Sequence, residues 1–182
     1  MAGGQLQPYQ PLPSGPLYGV ACSTSSSCVA VGAAQGQQVL PVVNGVAGTP
    51  QPVGSGTVTL WGVTCYAAGS CLAVGDNGSQ GVVVPIVAGV PSGVHAVPGT
   101  SSLRGVACPS PSTCVAVGSA GGQGVVVDVK AGRPGPPRTV AASAQLAAVS
   151  CGSATSCTAV GAGPGFQGGV VVDMPVGAGA RR

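Results

Sequence analysis

Residues 103–118 read LRGVACPSPSTCVAVG, and close relatives of this stretch stand three more times in the chain: LYGVACSTSSSCVAVG from Leu17, LWGVTCYAAGSCLAVG from Leu60 and LAAVSCGSATSCTAVG from Leu146. The shared frame is Leu-x-Gly-Val-x-Cys, five loop residues, then Cys-x-Ala-Val-Gly. An interval of 43 residues separates Cys22 from Cys65, Cys65 from Cys108, and Cys108 from Cys151. A constant period of this size marks a repeat architecture. Each frame is followed by an apolar run: VLPVV at 39–43, VVVPIV at 82–87, VVVDV at 125–129 and VVVDM at 170–174. A glycine (Gly45, Gly89, Gly132, Gly177) and then a proline-rich segment lead into the next leucine.

Short Val-rich runs bounded by Gly, Pro, Ser and Asn are strand signals, and no stretch sustains a 3.6-residue period. The 33 glycines and 17 prolines weigh further against helices, whose interiors disfavour both. Each unit therefore predicts strand a (17–22 in the first unit), strand b (28–32), strand c (39–43) and a weaker strand d near 51–53. The prolines of d suit an edge position, where a missing N–H costs least.

Four short antiparallel strands in about 43 residues match one β-propeller blade. The expected fold is all-β: a single-domain, four-bladed β-propeller with blades at 17–59, 60–102, 103–145 and 146–182. The last unit ends soon after its strand c. Residues 1–16, rich in Pro and Gln, resemble the d segments such as TPQPVGSGTVT at 49–59. The expectation is that this N-terminal segment supplies the outer strand of the last blade and closes the ring. A linear β-solenoid is the competing architecture, disfavoured because neither end reads as a cap. A ring of eight blades built from two chains is a further possibility.

All eight cysteines fall in the four pairs Cys22/Cys28, Cys65/Cys71, Cys108/Cys114 and Cys151/Cys157. The spacer places each pair across the a–b hairpin, where facing residues approach within disulfide range. Structural zinc sites prefer shorter Cys spacings and need four ligands at one point, so disulfides are expected and metal is not. Disulfides persist in oxidising compartments, which predicts a secreted or cell-surface protein. Residues 1–16 hold neither a basic n-region nor an apolar h-region, so no signal peptide is read there and a mature fragment or a removed export signal is expected. The most apolar stretch, 81–90, contains Pro85 and is too short for a membrane span.

Six basic and three acidic side chains are the whole charge complement of 182 residues, against about one-quarter in a typical domain. So weakly charged a surface opposes self-association little, although a coding bias toward Ala, Gly, Val, Pro and Arg accounts for the same composition. The net charge of +3 depends on Arg181 and Arg182, which gives nucleic-acid binding little support. With one Phe, one Trp and three Tyr, the core must be built from Val, Ala and Leu. Each buries little area, so the four bridges serve as staples.

Motifs for chemistry are scarce. His95, the sole histidine, lies in a predicted d strand with no acid or nucleophile beside it, and there is no Gly-x-Ser-x-Gly elbow. Asp128 and Asp173 stand where the other units carry Pro41 and Pro85 and read as strand-end or turn residues. Asp76-Asn77-Gly78 is a turn signal. The glycine-rich stretch 118–124 lacks the Lys and the helix of a phosphate cradle. One position varies tellingly: the residue after the opening Leu is Tyr18, Trp61, Arg104 or Ala147. If strand a lines an axis, two aromatics and a guanidinium gather near one end, a composition common at binding sites for sugars and anionic groups. Packing of Trp61 and Tyr18 between blades is the alternative.

The repeated frame resembles the cysteine-containing blades of secreted bacterial β-propeller proteins, broadly the sialidase-like and photosystem-assembly-factor-like superfamily. The resemblance covers 17–177 and implies a propeller scaffold. The Ser-x-Asp-x-Gly-x-x-Trp turn of sialidase-like blades is absent, and no sialidase acid or Tyr nucleophile is matched. The expected function is a non-enzymatic extracellular binding or interaction module, cofactor-free, whose ligand is a glycan or protein held by Tyr18, Trp61 and Arg104. The alternative is a structural protein that self-assembles into a filament, lattice or homo-oligomer; a hydrolase using Asp128 or Asp173 is a distant third.

Overall fold

Sixteen strands in four antiparallel sheets make up the computed structural model, which describes residues 9–12, 15–33 and 39–176. Sheet I holds β1 (Leu17–Cys22), β2 (Ser27–Gly32), β3 (Val39–Val43) and β4 (Val46–Ala47). Sheet II holds β5 (Thr59–Ala67), β6 (Ser70–Asp76) and β7 (Gly81–Val87), with β8 (Val90–Pro91) and β9 (His95–Val97) both paired to β7. Sheet III holds β10 (Ser102–Ser110), β11 (Thr113–Ala120), β12 (Gln123–Lys130) and β13 (Arg133–Val140). Sheet IV holds β14 (Gln145–Ser153), β15 (Ser156–Ala162) and β16 (Gly169–Pro175).

The expected strands a, b and c appear in every unit. Strand d departs from expectation in the first: Gln51 makes an isolated bridge to Val39, and the edge strand is the two-residue β4. Prolines limit this edge, since each removes a ladder donor. The only long d strand among the described residues, β13, carries Pro134, Pro136 and Pro137 and sits at an edge as such a strand must.

Four disulfides close the a–b hairpins as expected, each within one sheet and with Cα atoms 3.8–3.9 Å apart. Cys22 faces Cys28, Cys65 faces Cys71 and Cys151 faces Cys157 directly in the ladder. The third pair, Cys108 and Cys114, has the same Cα separation and continues the register of Ala107/Val115, but regular ladder pairing is interrupted there. The β10–β11 pairing breaks between Ala107/Val115 and Ser110/Thr113, so the bridge spans an irregular stretch of the hairpin. Pro109, which has no N–H, falls inside that break and cannot donate to the ladder. Cys114 is held on its other side, opposite Val129 of β12, and lies buried in the core between sheets II and III. Its sulfur is therefore a packing element as well as half of a staple. Such bonds place the protein in an oxidising environment. Among the described residues no helix is long and apolar enough to cross a membrane.

Each sheet packs on the next through one repeated set of contacts. The front of sheet I (Val29, Val31, Val39) meets the back of sheet II (Leu60, Val63, Ala73, Val84, Ile86). The front of II (Leu72, Val74, Val83) meets Leu103, Val106, Ala116, Val127 and Val129 of III. The front of III (Val115, Val117, Val126) meets Leu146, Val149, Ala159 and Met174 of IV. The middle strands of II and III are covered on both sides, which is why LAV and VAV run apolar without alternation.

Two glycines of the frame are dictated by this packing. A Cβ on Gly62 would stand 2.7 Å from the Arg104 carbonyl oxygen, and one on Gly105 would stand 2.9 Å from Ala148 Cα. The inner strands thus approach each other backbone to backbone. The glycine ending Ala-Val-Gly (Gly32, Gly75, Gly118, Gly161) lies under the start of strand a, where a Cβ would come within 1.8–2.0 Å of a carbonyl oxygen.

The expected seal between residues 1–16 and the last blade is not found among the described residues. β16 pairs only with β15, and Gln10 binds sheet I instead: its Nε2 donates to Gly45 O at 2.7 Å, and its Oε1 accepts from Ala47 N at 3.1 Å. The physical reason is that β4 is short and leaves edge groups free, while Pro11 and Pro16 deprive the segment of ladder donors. The rest of the expectation falls on residues 1–8, 13–14 and 177–182, outside the described residues. Inner-strand packing runs β1 on β5, β5 on β10 and β10 on β14; among the described residues no comparable packing joins β14 to β1.

Replacing Leu103, fully buried between sheets II and III, by Ala is expected to cost about 2–5 kcal/mol in urea unfolding. Replacing Cys65 and Cys71 together by Ser is expected to cost about 2 kcal/mol, as befits so short a loop.

Candidate functional site

The variable residue of the frame owes its position to a β-bulge. In all four a–b pairs the register slips between the opening Leu and the residue two places on: Leu17/Gly19, Leu60/Gly62, Leu103/Gly105 and Leu146/Ala148. The extra residue in each case is Tyr18, Trp61, Arg104 or Ala147. A bulge leaves its residue unpaired and re-aims the side chain. Because the inner strands stack closely, these four positions form a column across the sheets.

Tyr18 and Trp61 stack with ring centroids 4.6 Å apart and planes 27° off parallel. The Arg104 guanidinium carbon lies 4.4 Å from the Trp61 ring centroid. Trp61 is therefore held between a phenol and a cation, an arrangement worth about 0.5–2 kcal/mol for the cation–π contact. The three residues proposed from the sequence are brought together. Arg104 and Trp61 are half-buried, Tyr18 is exposed, and the fourth place carries only the Ala147 methyl. Arg104 Nε is buried without a hydrogen-bond acceptor among the described residues. The column is itself an inter-sheet contact, so the packing role is filled by the same residues.

Asp76 completes the group, and sequence reasoning missed it. Its Oδ2 accepts from Trp61 Nε1 at 2.7 Å, while its Oδ1 accepts from Gly78 N at 3.1 Å. Asn77 Oδ1 accepts from Ser79 and Gln80 N–H groups, so the turn read from Asp-Asn-Gly is present. The turn reading concealed a second task, since one carboxylate spans both. The available signal was that the unit with Trp at the bulge is also the one with a carboxylate just after Ala-Val-Gly; Ala33, Ser119 and Ala162 occupy the equivalent places.

A shallow hollow of about 340 Å³ adjoins the free end of the column, lined by Leu17, Tyr18, Gly19, Val20 and Ala30. The other polar candidates lie apart from the column. Asp128 pairs with Arg138 at 3.0 Å, both side chains about half exposed. Asp173 accepts from Thr158 Oγ1 at 2.7 Å. His95 lies on β9 opposite Val83. Among the described residues no group of three His, Cys, Asp or Glu is placed to hold a metal ion.

Comparison with known proteins supports the sheet arrangement. The Kuenenia stuttgartiensis hydrazine synthase superposes with a TM-score of 0.66 at 14% identity, over 79% of this chain and 43% of that one. A neuraminidase-like protein from A/bat/Guatemala/164/2009 superposes with a TM-score of 0.50 at 9% identity, over 93% of this chain and 58% of that one. At such identities the likeness concerns the fold alone, a propeller-like stacking of antiparallel sheets. This chain spans about half the length of either neighbour. No known family profile and no curated protein matches the sequence.

Asp76→Ala is expected to red-shift the emission of Trp61, the sole tryptophan, and to lower stability by about 1.5–3 kcal/mol, the range for a hydrogen bond to a charged group. A change in stability with unaltered emission would mean that the indole does not depend on this carboxylate.

Proposed function

We propose that the four sheets are propeller blades of a non-enzymatic, extracellular binding module that engages a glycan or protein ligand at the Tyr18 end of the column. The observation that carries this reading is the Tyr18–Trp61–Arg104 stack ending in an exposed ring beside an apolar hollow. Rigid aromatics present a flat apolar face at low entropic cost, and binding sites are characteristically concave and mostly apolar with few polar groups. A sugar ring laid on Tyr18 extends the stack by one layer. Trp61 and Arg104 back Tyr18 and limit its motion, and Asp76 fixes Trp61. Glycan comes first among ligands because the hollow offers a platform and edge groups without a concentrated charge. The four disulfides support an extracellular setting.

A glycan array tests the reading, followed by titration of Trp61 emission with the saccharides that bind. Tyr18→Ala is expected to weaken binding about tenfold or more while costing only about 0.5–1.5 kcal/mol of stability, the range for its stacking on Trp61, since Tyr18 is 45% exposed. Absence of binding across all saccharide classes removes the glycan, and binding that survives Tyr18→Ala removes the column as its site.

A further inference from the structure

The two ends of the sheet series are the two halves of the interface that the chain builds three times internally. Front-face residues Val31, Val74 and Val117 are fully buried, whereas their counterpart Val160 in sheet IV is 44% exposed. Val39, Val83 and Val126 are 0–4% exposed, whereas Val171 is 71% exposed. At the other end, Ala30 and Leu40 on the back of sheet I are already buried at 6% and 3%, but along β1 this face is open: Leu60, Leu103 and Leu146 are fully buried, whereas Leu17 is 38% exposed. Val63, Val106 and Val149 pack into the three internal clusters, whereas Val20 is 67% exposed. Each end also bears a hollow: the one beside Leu17 and Val20, and one of about 350 Å³ lined by Gln145, Ala147, Val160, Gly161, Ala162 and Phe166.

We propose that a second copy of this chain docks end to end, the exposed β1 side of the back of sheet I in one copy covering the front of sheet IV in the other. The argument is continuity with an existing interface: the surface that fits the back of a sheet is, three times over, the front of another. The nearly uncharged composition leaves little repulsion to oppose it. Two departures from the frame fall on the sheet IV face and set how tightly the copies join. Ala148 replaces the glycine of Gly19, Gly62 and Gly105, putting a methyl where a Cβ on Gly62 or Gly105 would stand 2.7–2.9 Å from the adjoining backbone. Thr158, hydrogen-bonded to Asp173, replaces Val29, Leu72 and Val115. The joint between copies is therefore looser than the joints within one, and the association is reversible.

Sedimentation velocity of the full chain over a wide concentration range, without saccharide, tests this. Saccharide is omitted because a docked copy and a ligand in the Tyr18 hollow exclude one another. The wild type is expected to associate reversibly, and Ala148→Gly to tighten association about tenfold or more by relieving the steric conflict. Val20→Asp and Val171→Asp are each expected to abolish it with unchanged melting temperature, because both side chains are largely exposed in the single chain. A wild type and an Ala148→Gly variant that both remain monomeric overturn the proposal. So does association that survives both aspartate substitutions.

Discussion

Backbone-to-backbone approach of the inner strands is the constraint on which the rest of this structure depends. At Gly62 and Gly105 the next strand passes so close that a single added carbon finds no room. With the inner edges pressed together, the space between sheets is narrow, and Val, Ala and Leu are the side chains that fill it. One aromatic, Tyr66, packs against the core between sheets II and III from its edge. Small side chains give dense packing but modest burial per residue. The covalent hairpin bridges compensate by restricting the unfolded chain.

The same closeness creates the column. Each inner strand carries a bulge directly after its opening leucine, so one residue per sheet leaves the ladder. Neighbouring bulged residues then stand at stacking distance, and ring meets ring, then ring meets guanidinium. Positions freed from the packing rule tolerate variation, which accounts for Tyr, Trp, Arg and Ala succeeding one another within an otherwise repetitive frame.

The hairpins and the order of strands were legible in the residues. The 43-residue interval and the Val-rich runs placed β1 at Leu17–Cys22 and β3 at Val39–Val43, and the five-residue spacer implied the pairing of cysteines. The spacer did not reveal that the hydrogen-bonded ladder is interrupted beside Pro109, although Cys108 and Cys114 keep the same Cα separation as the other pairs. The edge strands were less legible because proline restricts pairing without specifying where it occurs; β4 and the Gln51 bridge together replace the single strand expected. Of the site, the variable position was visible as a break in the repeat. Its fourth member, Asp76, was not, since the hydrogen bond to Trp61 links residues 15 apart through a ladder whose register had first to be known.

Repetition in the chain determined the local units: alternating strand and turn chemistry, hairpins pinned by sulfur, and glycines wherever a neighbour passes too near for a side chain. The relation between the ends was decided only in three dimensions. Among the described residues Gln10 lies against sheet I, and Val160 and Val171 on the front of sheet IV are exposed. A period encodes how one unit meets the next, because that contact recurs and leaves its mark in every copy. The meeting of first and last is a single event set by accumulated geometry, and no recurring residue records it.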